Sequence, residues 1–498
     1  MSVLRTKSIE QSMQDTVEPE HELKKNLTAL DLAVFGVGVI IGTGIFVLTG
    51  LAARDTAGPS VALSFVVAGI VCGLAAMCYA ELSSTVPVAG SAYTFSYATL
   101  GELVAWIIGW DLILELALGA SVVAVGWSQY LTVVLESAGL ALPSSIAGED
   151  AVVNVPAILI VLALTAVAVL GIKLSSRVTA VIVVIKVAIV LLVIILGAFF
   201  IKVANYSPYI PPSEPTPAEG GLQAPLIQTI FGMEPTAFGV AGIFTAAAVV
   251  FFAFIGFDIV ATAAEETKNP QRDMPRGILG SLAICTVLYV LVATVVTGMQ
   301  RYDELDPAAP LARAFTSVDL DVIANIIAVG ALAGLTSVML ILLLGQSRVL
   351  FAMSRDHLLP PALAKVHPRY GTPYRISIAT GALVAVMAGF IPLEALAELV
   401  NIGTLFAFVV VSLGVIILRR TRPDLRRSFK CPGVPWIPIL SVLACVYLML
   451  NLPGDTWLRF LAWLAIGFVI YFTYGRSRSR VPDQIEREGF VAKNKPVR

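Results

Sequence analysis

Apolar stretches of about 20 residues recur along the whole of this chain. Twelve can be marked out, near 30–53, 60–82, 101–134, 154–171, 178–201, 238–265, 277–299, 321–346, 374–391, 394–418, 435–452 and 457–475. A helix of that length crosses a hydrocarbon core of about 30 Å. Of the 498 residues, 57% are hydrophobic and only 13% charged, which is more apolar surface than a water-soluble domain can hide. The expected fold class is an all-α membrane protein with 12 transmembrane helices.

Two of the stretches are broken. The first carries Gly36, Gly38, Gly42 and Gly44, and its centre reads Val39-Ile40-Ile41-Gly42-Thr43-Gly44-Ile45-Phe46. The sixth has Gly256 in the middle of Phe251-Phe252-Ala253-Phe254-Ile255-Gly256-Phe257-Asp258. Glycine at membrane depth lets a helix unwind, and the freed N–H and C=O groups then need partners that lipid does not offer. A small zwitterion can be that partner, because half-helix N-termini attract its carboxylate and unwound carbonyls accept from its ammonium. Small residues also serve close helix packing, and either segment alone reads that way. Two interruptions five segments apart, in matching positions of two halves, favour a substrate site.

The two halves have parallel hydropathy. Spans one to five (30–201) form a first repeat and spans six to ten (238–418) a second. Five is odd, so the repeats are expected to have opposite topology. Residues 202–237, rich in Pro and Gly, form the expected extracellular loop. Spans eleven and twelve (419–475) stand outside the repeat, between a cytoplasmic N-terminal segment (1–29) and a charged, disordered cytoplasmic tail (476–498). The inner loop 346–373 is read as short surface helices. Sorting the charges gives the orientation. Nearly all of the 33 Lys and Arg fall in the termini and one set of alternate loops, whereas Arg54, Lys202, Arg301, Arg313 and Arg459 fall in the other set. That is the positive-inside bias of a multi-pass cell-membrane protein with both termini in the cytoplasm. It also accounts for Arg419-Arg420-Thr421-Arg422 and Arg426-Arg427, so no nucleic-acid partner is inferred. Residues 1–29 are polar, unlike a cleaved signal peptide, and the first span serves as the targeting signal.

Several classes of chemistry are excluded. The five cysteines lack the spacing of a disulfide framework or metal site, and the three histidines all fall in cytoplasmic segments. No phosphate-binding loop or Ser-His-Asp arrangement appears. No cofactor, no metal and no catalysis are expected, and transport driven by ATP within this chain is set aside.

Ionisable residues within spans are the remaining candidates. Lys186 lies deep in the fifth span, within Ile185-Lys186-Val187. A central lysine costs about 2.5–3.5 kcal/mol on insertion scales, so it is kept for a reason. Burial favours the neutral amine and nearby carbonyls favour the ammonium, and a group so balanced can load and release a proton. The plainer reading is snorkelling to the inner headgroups. Asp111 and Glu115 lie four apart on one face of the third span, where either can meet a cationic side chain or a hydroxyl network. Glu115 is the deeper, and a structural hydrogen bond explains it equally well. Asp258, just beyond Gly256, reads as a cap for the second half of helix six. Glu265 and Glu266, beside Lys268, Arg272 and Arg276, form either an ion-pair latch or a solvated helix end. Thr336 and Ser337 bond either Lys186 or their own helix.

At these residues the chain resembles the amino acid–polyamine–organocation superfamily, and within it the cationic amino acid transporter branch and its bacterial relatives. The likeness rests on 38–46, on 252–258, on Glu265-Glu266 with Asn269-Pro270-Gln271, on 345–356, and on Thr456-Trp457-Leu458-Arg459-Phe460 with 467–471. It implies a LeuT-like 5+5 inverted repeat plus two extra helices. It also implies a substrate site in which the carboxylate meets the amides of Gly42, Thr43 and Gly44 and the α-ammonium meets the carbonyls of Ile40, Phe252, Ala253 and Ile255. Ile41, Phe254 and Gly256 complete the two unwound stretches, Glu115 is the candidate anion for a cationic side chain, and Lys186 replaces a sodium ion between helices one, five and eight. The function so implied is secondary active import of an L-amino acid, cationic ones included, coupled to protons by alternating access. The partners are then the amino acid, the proton and membrane lipids. The alternative within this class is an exchanger without net proton movement. A channel would need a continuous polar pore, and a membrane enzyme or sensor would need a buried catalytic cluster or a soluble domain.

Overall fold

A computed structural model describes residues 26–86, 91–148, 151–171, 176–216 and 221–479. The connection around Pro87, most of the N-terminal segment and nearly all of the tail lie outside the described residues. The principal helices in chain order begin with α1, in two parts: α1a (Ala29–Ile40) and α1b (44–57). Then come α2 (Val61–Thr85), α3 (Glu102–Ser137), α4 (Val155–Val169) and α5 (Ser176–Gly197). Next are α6, in parts α6a (Gly239–Val250) and α6b (Phe257–Val260), and α7 (Pro270–Met299). The series ends with α8 (Asp321–Arg355), α9 (Tyr374–Phe390), α10 (Leu393–Thr421), α11 (Trp436–Leu450) and α12 (Gly454–Ile470). Among the described residues, eight helical runs are long and apolar enough to cross a membrane, and α1a, α4, α9 and α11 are apolar but shorter. This is a multi-pass, all-α integral membrane protein. One of the eight runs, Gly44–Thr85, is divided by Gly58 at φ +63° and by Pro59.

Boundaries differ from those read in the sequence where polar residues continue a helix past its apolar part. α7 starts at Pro270, seven residues before the expected 277, because a proline at the first helical position lacks an amide the helix does not need. α8 runs on to Arg355 and takes in the first part of the expected inner loop. A helix, Ser91–Thr99, fills the connection from α2 to α3. The expected outer loop carries a helix, Leu226–Ile230, and a two-stranded pairing of Glu214–Pro215 with Thr236–Ala237.

The helices pack in pairs. α3 lies against α8, α9, α10 and α12, while α2 lies against α7 and α6a. α1a packs on α7 and α5, α8 on α5 and α4, α9 on α4, and α10 on α6a and α11. The entry to α1 and the exit of α6 are stitched together, because Asn26 and Leu27 donate to the carbonyl of Glu266 and Lys268 donates to that of Leu27. Thr28 and Asp31 close a capping box at the start of α1a. A stack of Trp106, Trp110 and Trp463 fastens α12 to α3. Trp110 and Trp463 lie 4.4 Å apart, and their indole N–H groups donate to each other's backbone carbonyls.

At the Arg-rich end of α10, Glu81 is fully buried. It accepts from Arg419 at 2.9 and 2.6 Å and from the amide of Cys431 at 2.7 Å, and Arg427 stands 3.4 Å away. This cluster binds α2, α10 and the segment after α10. Removing one partner of a buried ion pair leaves a charge unpaired and costs about 3–5 kcal/mol. Glu81→Ala is therefore expected to lower stability by about 3 kcal/mol, the low end because Arg419 is partly exposed. Thermal unfolding of the purified protein checks this, with Arg420→Ala, at an exposed position, expected to leave the transition unchanged.

Candidate functional site

Both expected helix breaks are present. α1a ends with Ile41 in extended backbone (ψ 96°), and a π-helical turn, Gly44–Leu48, opens α1b. α6a runs into a 3-10 turn, Phe251–Phe254, followed by extended Ile255 and by Gly256 at φ +123°, a conformation that favours glycine. Asp258, in the first turn of the second half-helix, accepts from the amide of Gly256 at 3.1 Å, and among the described residues no side chain caps that half-helix.

The freed backbone groups find partners in neighbouring helices. The carbonyl of Gly38 accepts from Lys186 Nζ at 2.6 Å, that of Ile40 from the Tyr289 hydroxyl at 2.7 Å, and that of Phe46 from the Tyr130 hydroxyl at 2.7 Å. In helix six, Asn401 Nδ2 donates to the carbonyls of Ala248 and Val249 at 2.8 and 3.0 Å. Tyr289, Tyr130 and Asn401 are absent from a reading of the sequence that looks only for charges. Their signal is the hydrogen-bonding group that each carries within an apolar span.

The two breaks and the middle of α3 and α8 surround a small cavity. Ile40, Gly42, Thr43, Gly44, Glu115, Phe252 and Ile255 line it, so seven of the sequence candidates converge. Leu116, Gly119, Val123, Val338 and Leu342, not expected from the sequence, form its apolar walls. Ile41 is fully buried and does not line it. Ala253 lies behind Gly44, Phe254 packs on Phe65 and Tyr289, and Gly256 faces Val39. Thr43 Oγ1 and Glu115 Oε2 are buried at this cavity without a hydrogen-bond partner. The amides of Gly42, Thr43 and Gly44 open a half-helix, where the first N–H groups lack an intrahelical acceptor. Of the carbonyls expected to face an ammonium, Ile40 already accepts from Tyr289 and Phe252 from the amide of Ile255 at 3.1 Å. Each keeps a second lone pair.

Asp111 shares a helix face with Glu115 but stays off the cavity. It is fully buried against Gly403, with neither carboxyl oxygen hydrogen-bonded. Lys186 is also fully buried, which excludes snorkelling, and its stem lies along Gly334 of α8, where an added Cβ would stand 3.1 Å from it. Thr336 and Ser337 donate to Leu332 and Gly334 of their own helix rather than bonding Lys186. Glu266 forms no ion pair among the described residues, and the side chain of Glu265 lies outside them. Among the described residues no group of His, Cys, Asp and Glu could hold a metal ion.

A membrane protein with two interrupted helices crossing at a closed, mostly apolar cavity is built to hold a small molecule at membrane depth. The chain belongs to the amino acid permease family of the amino acid–polyamine–organocation superfamily, whose model matches residues 27–472. It is similar to the branched-chain amino acid permease BcaP of Bacillus subtilis (strain 168), at 48% identity over 96% of this chain and 99% of the relative. It is also similar to the methylthioribose transporter of the same strain (47% identity, 92% of this chain and 95% of the relative). Cationic amino acid transporter 2, vacuolar, of Arabidopsis thaliana is 41% identical over 81% of this chain and 61% of its own length. Amino acid transport is thus the activity that the family supports.

The two glycines of α1 have different tasks. A Cβ at Gly44 would stand 2.2 Å from the Cα of Ala253, whereas at Gly42 its nearest neighbour is a Val338 methyl at 3.7 Å. Gly44 is therefore a packing contact between the two breaks as well as a cavity wall. Gly44→Ala is expected to cost about 1–3 kcal/mol through forced backbone shifts. Gly42→Ala should fold normally and lose amino-acid-induced thermal stabilisation, and the two melting curves, with and without substrate, separate these outcomes.

Proposed function

We propose that this protein imports L-amino acids with branched apolar side chains, coupled to protons, by alternating access of a twelve-span, LeuT-like 5+5 repeat. The cavity carries this reading. One side offers amides at Gly42–Gly44 and the unpaired oxygens of Thr43 and Glu115. The opposite walls, Val123, Val338, Leu342 and Phe252, are apolar and suit an aliphatic side chain. The name of the Bacillus subtilis relative, branched-chain amino acid permease, supports the same substrate class. A cationic side chain would have Glu115 as its single anion in this cavity. Glu115 suits the α-ammonium of any amino acid, since one of its oxygens is buried at the cavity without a hydrogen-bond partner.

The packing supports the repeat. Exchange each helix of the first five with its counterpart in the second five, and the contacts map onto one another. α1a on α7 becomes α6a on α2, α3 on α10 becomes α8 on α5, and α3 on α9 becomes α8 on α4. Lys186 of α5 on helix one has Asn401 of α10 on helix six as its counterpart. One half thus carries an ionisable donor where the other carries a neutral amide.

That difference supplies the proton step. A charged ammonium on a carbonyl makes a bond about twice as strong as a neutral donor does. Protonated Lys186 holds α1a, at Gly38, against α5 and α8. Loss of the proton weakens the tie one residue from Val39, which lines the cavity. Substrate and proton then favour the same conformation and stabilise each other's binding by the same factor. An exchanger would use the same cavity without the proton.

Uptake into proteoliposomes of labelled leucine, lysine and methylthioribose, under pH or sodium gradients, tests the proposal. One unit of pH supplies about 1.4 kcal/mol per proton, or about tenfold accumulation at one proton per substrate. Leucine should accumulate with the pH gradient and not with sodium. Lys186→Met should bind leucine yet fail to concentrate it. Leucine exchange without gradient-driven accumulation in the wild type would favour the exchanger. Glu115→Gln should weaken leucine and lysine binding alike, and a loss confined to lysine would restore the cationic reading.

A further inference from the structure

Helix α7 carries a second feature that transport does not use. Arg272 and Arg276 are exposed one turn apart near its start, and among the described residues neither guanidinium has a hydrogen-bond or ion-pair partner. They border an open cleft that also takes in Gln271, Gly280, Ser428 and Phe429, so the segment after α10 forms its other wall. Ser428 donates to Gln271 Oε1 at 2.9 Å, which ties the two walls together. Below the arginines the cleft turns apolar. A Cβ on Gly280 would meet nothing within 4 Å, so the groove is open there.

The helical period joins these parts. Arg272, Arg276, Gly280, Ile284, Val287 and Leu291 are spaced by four, four, four, three and four residues, which places them along one face of α7. Ile284, Val287 and Leu291 are 47%, 60% and 43% exposed, so this face is turned away from the protein. From Gly280 to Leu291 the stripe rises about 16 Å, which matches one leaflet of a hydrocarbon core of about 30 Å.

We infer that this cleft binds one anionic phospholipid, with its phosphate on Arg272 and Arg276 and an acyl chain laid over Gly280 along α7. A guanidinium pair offers the forked donors that match phosphate oxygens. The apolar stripe running on from the pair selects a lipid over a free anion. The site rests on the chain being an integral membrane protein and not on the transport reading. By its position it joins α7, which packs on α1a, to the segment that also carries Arg427 and Cys431 of the Glu81 cluster.

Native mass spectrometry of the full chain in neutral detergent tests this, using phosphatidylglycerol, phosphatidylcholine and glycerol phosphate as probes. The first phosphatidylglycerol is expected to bind about tenfold more tightly than phosphatidylcholine. The Arg272→Gln/Arg276→Gln pair should bring that preference close to one, while Arg420→Gln, at an exposed arginine outside the cleft, keeps it. Gly280→Leu, or Gly280→Ala if the leucine variant does not fold, should weaken binding of phosphatidylglycerol through the blocked groove. Glycerol phosphate should not displace the lipid. A preference that survives the double arginine variant, binding indifferent to Gly280, or displacement by glycerol phosphate overturns the proposal, the last by showing a free-anion site.

Discussion

A helix that unwinds inside a membrane exposes backbone polar groups to a medium that offers them nothing, and each such group left bare costs several kcal/mol. The centre of this protein is organised around that cost. Four side chains from four other helices, Lys186, Tyr289, Tyr130 and Asn401, reach the two broken segments and donate to their carbonyls. Asp258 takes up an amide on the far side of the second break. The two breaks also touch each other, Gly44 against Ala253, with no room for a side chain between them. Among the buried side-chain groups left without a partner, the hydroxyl of Thr43 and one oxygen of Glu115 lie at the cavity.

Much of this was legible in the sequence because the membrane imposes simple rules. Apolar length marked the spans, and glycine in mid-span marked both breaks. Lysine in an apolar helix marked Lys186, and its burial against Gly38 agrees with that reading. Other features were hidden for physical reasons. Tyr289, Tyr130 and Asn401 carry no charge, so a search for costly ionisable groups passed over them. The start of α7 and the end of α8 were blurred because charged residues prolong a helix beyond the hydrocarbon. A spacing of four put Asp111 and Glu115 on one helix face, with Glu115 the deeper. Packing separates them, since a modest rotation around α3 puts one at the cavity and the other against Gly403. Thr336 and Ser337 had two acceptors in reach, and the local one, their own helix, won.

Lys186 donates to a carbonyl of helix one and Asn401 to carbonyls of helix six, and of the two only the lysine can change its charge. α3, carrying Glu115, is fastened by the tryptophan stack to α12 and packs along α8. α1a packs on α7 and is tied through Gly38 to α5, through Ile40 to Tyr289 of α7, and through Asn26 and Leu27 to the end of α6.

The central claim is that the amides at the break in helix one receive the carboxylate of an amino acid. Glycine occupies two of those three positions, which permits a direct test by solid-state NMR. Protein labelled with nitrogen-15 at glycine alone is loaded with leucine carrying carbon-13 in its carboxylate, and the dipolar coupling between the two labels is measured. A hydrogen bond of about 2.9 Å from nitrogen to oxygen puts the carboxylate carbon within about 4 Å of the nitrogens of Gly42 and Gly44, and the account predicts strong dephasing of the bound leucine signal. Bound leucine whose carboxylate shows no coupling to glycine nitrogen would place the ligand elsewhere and contradict it.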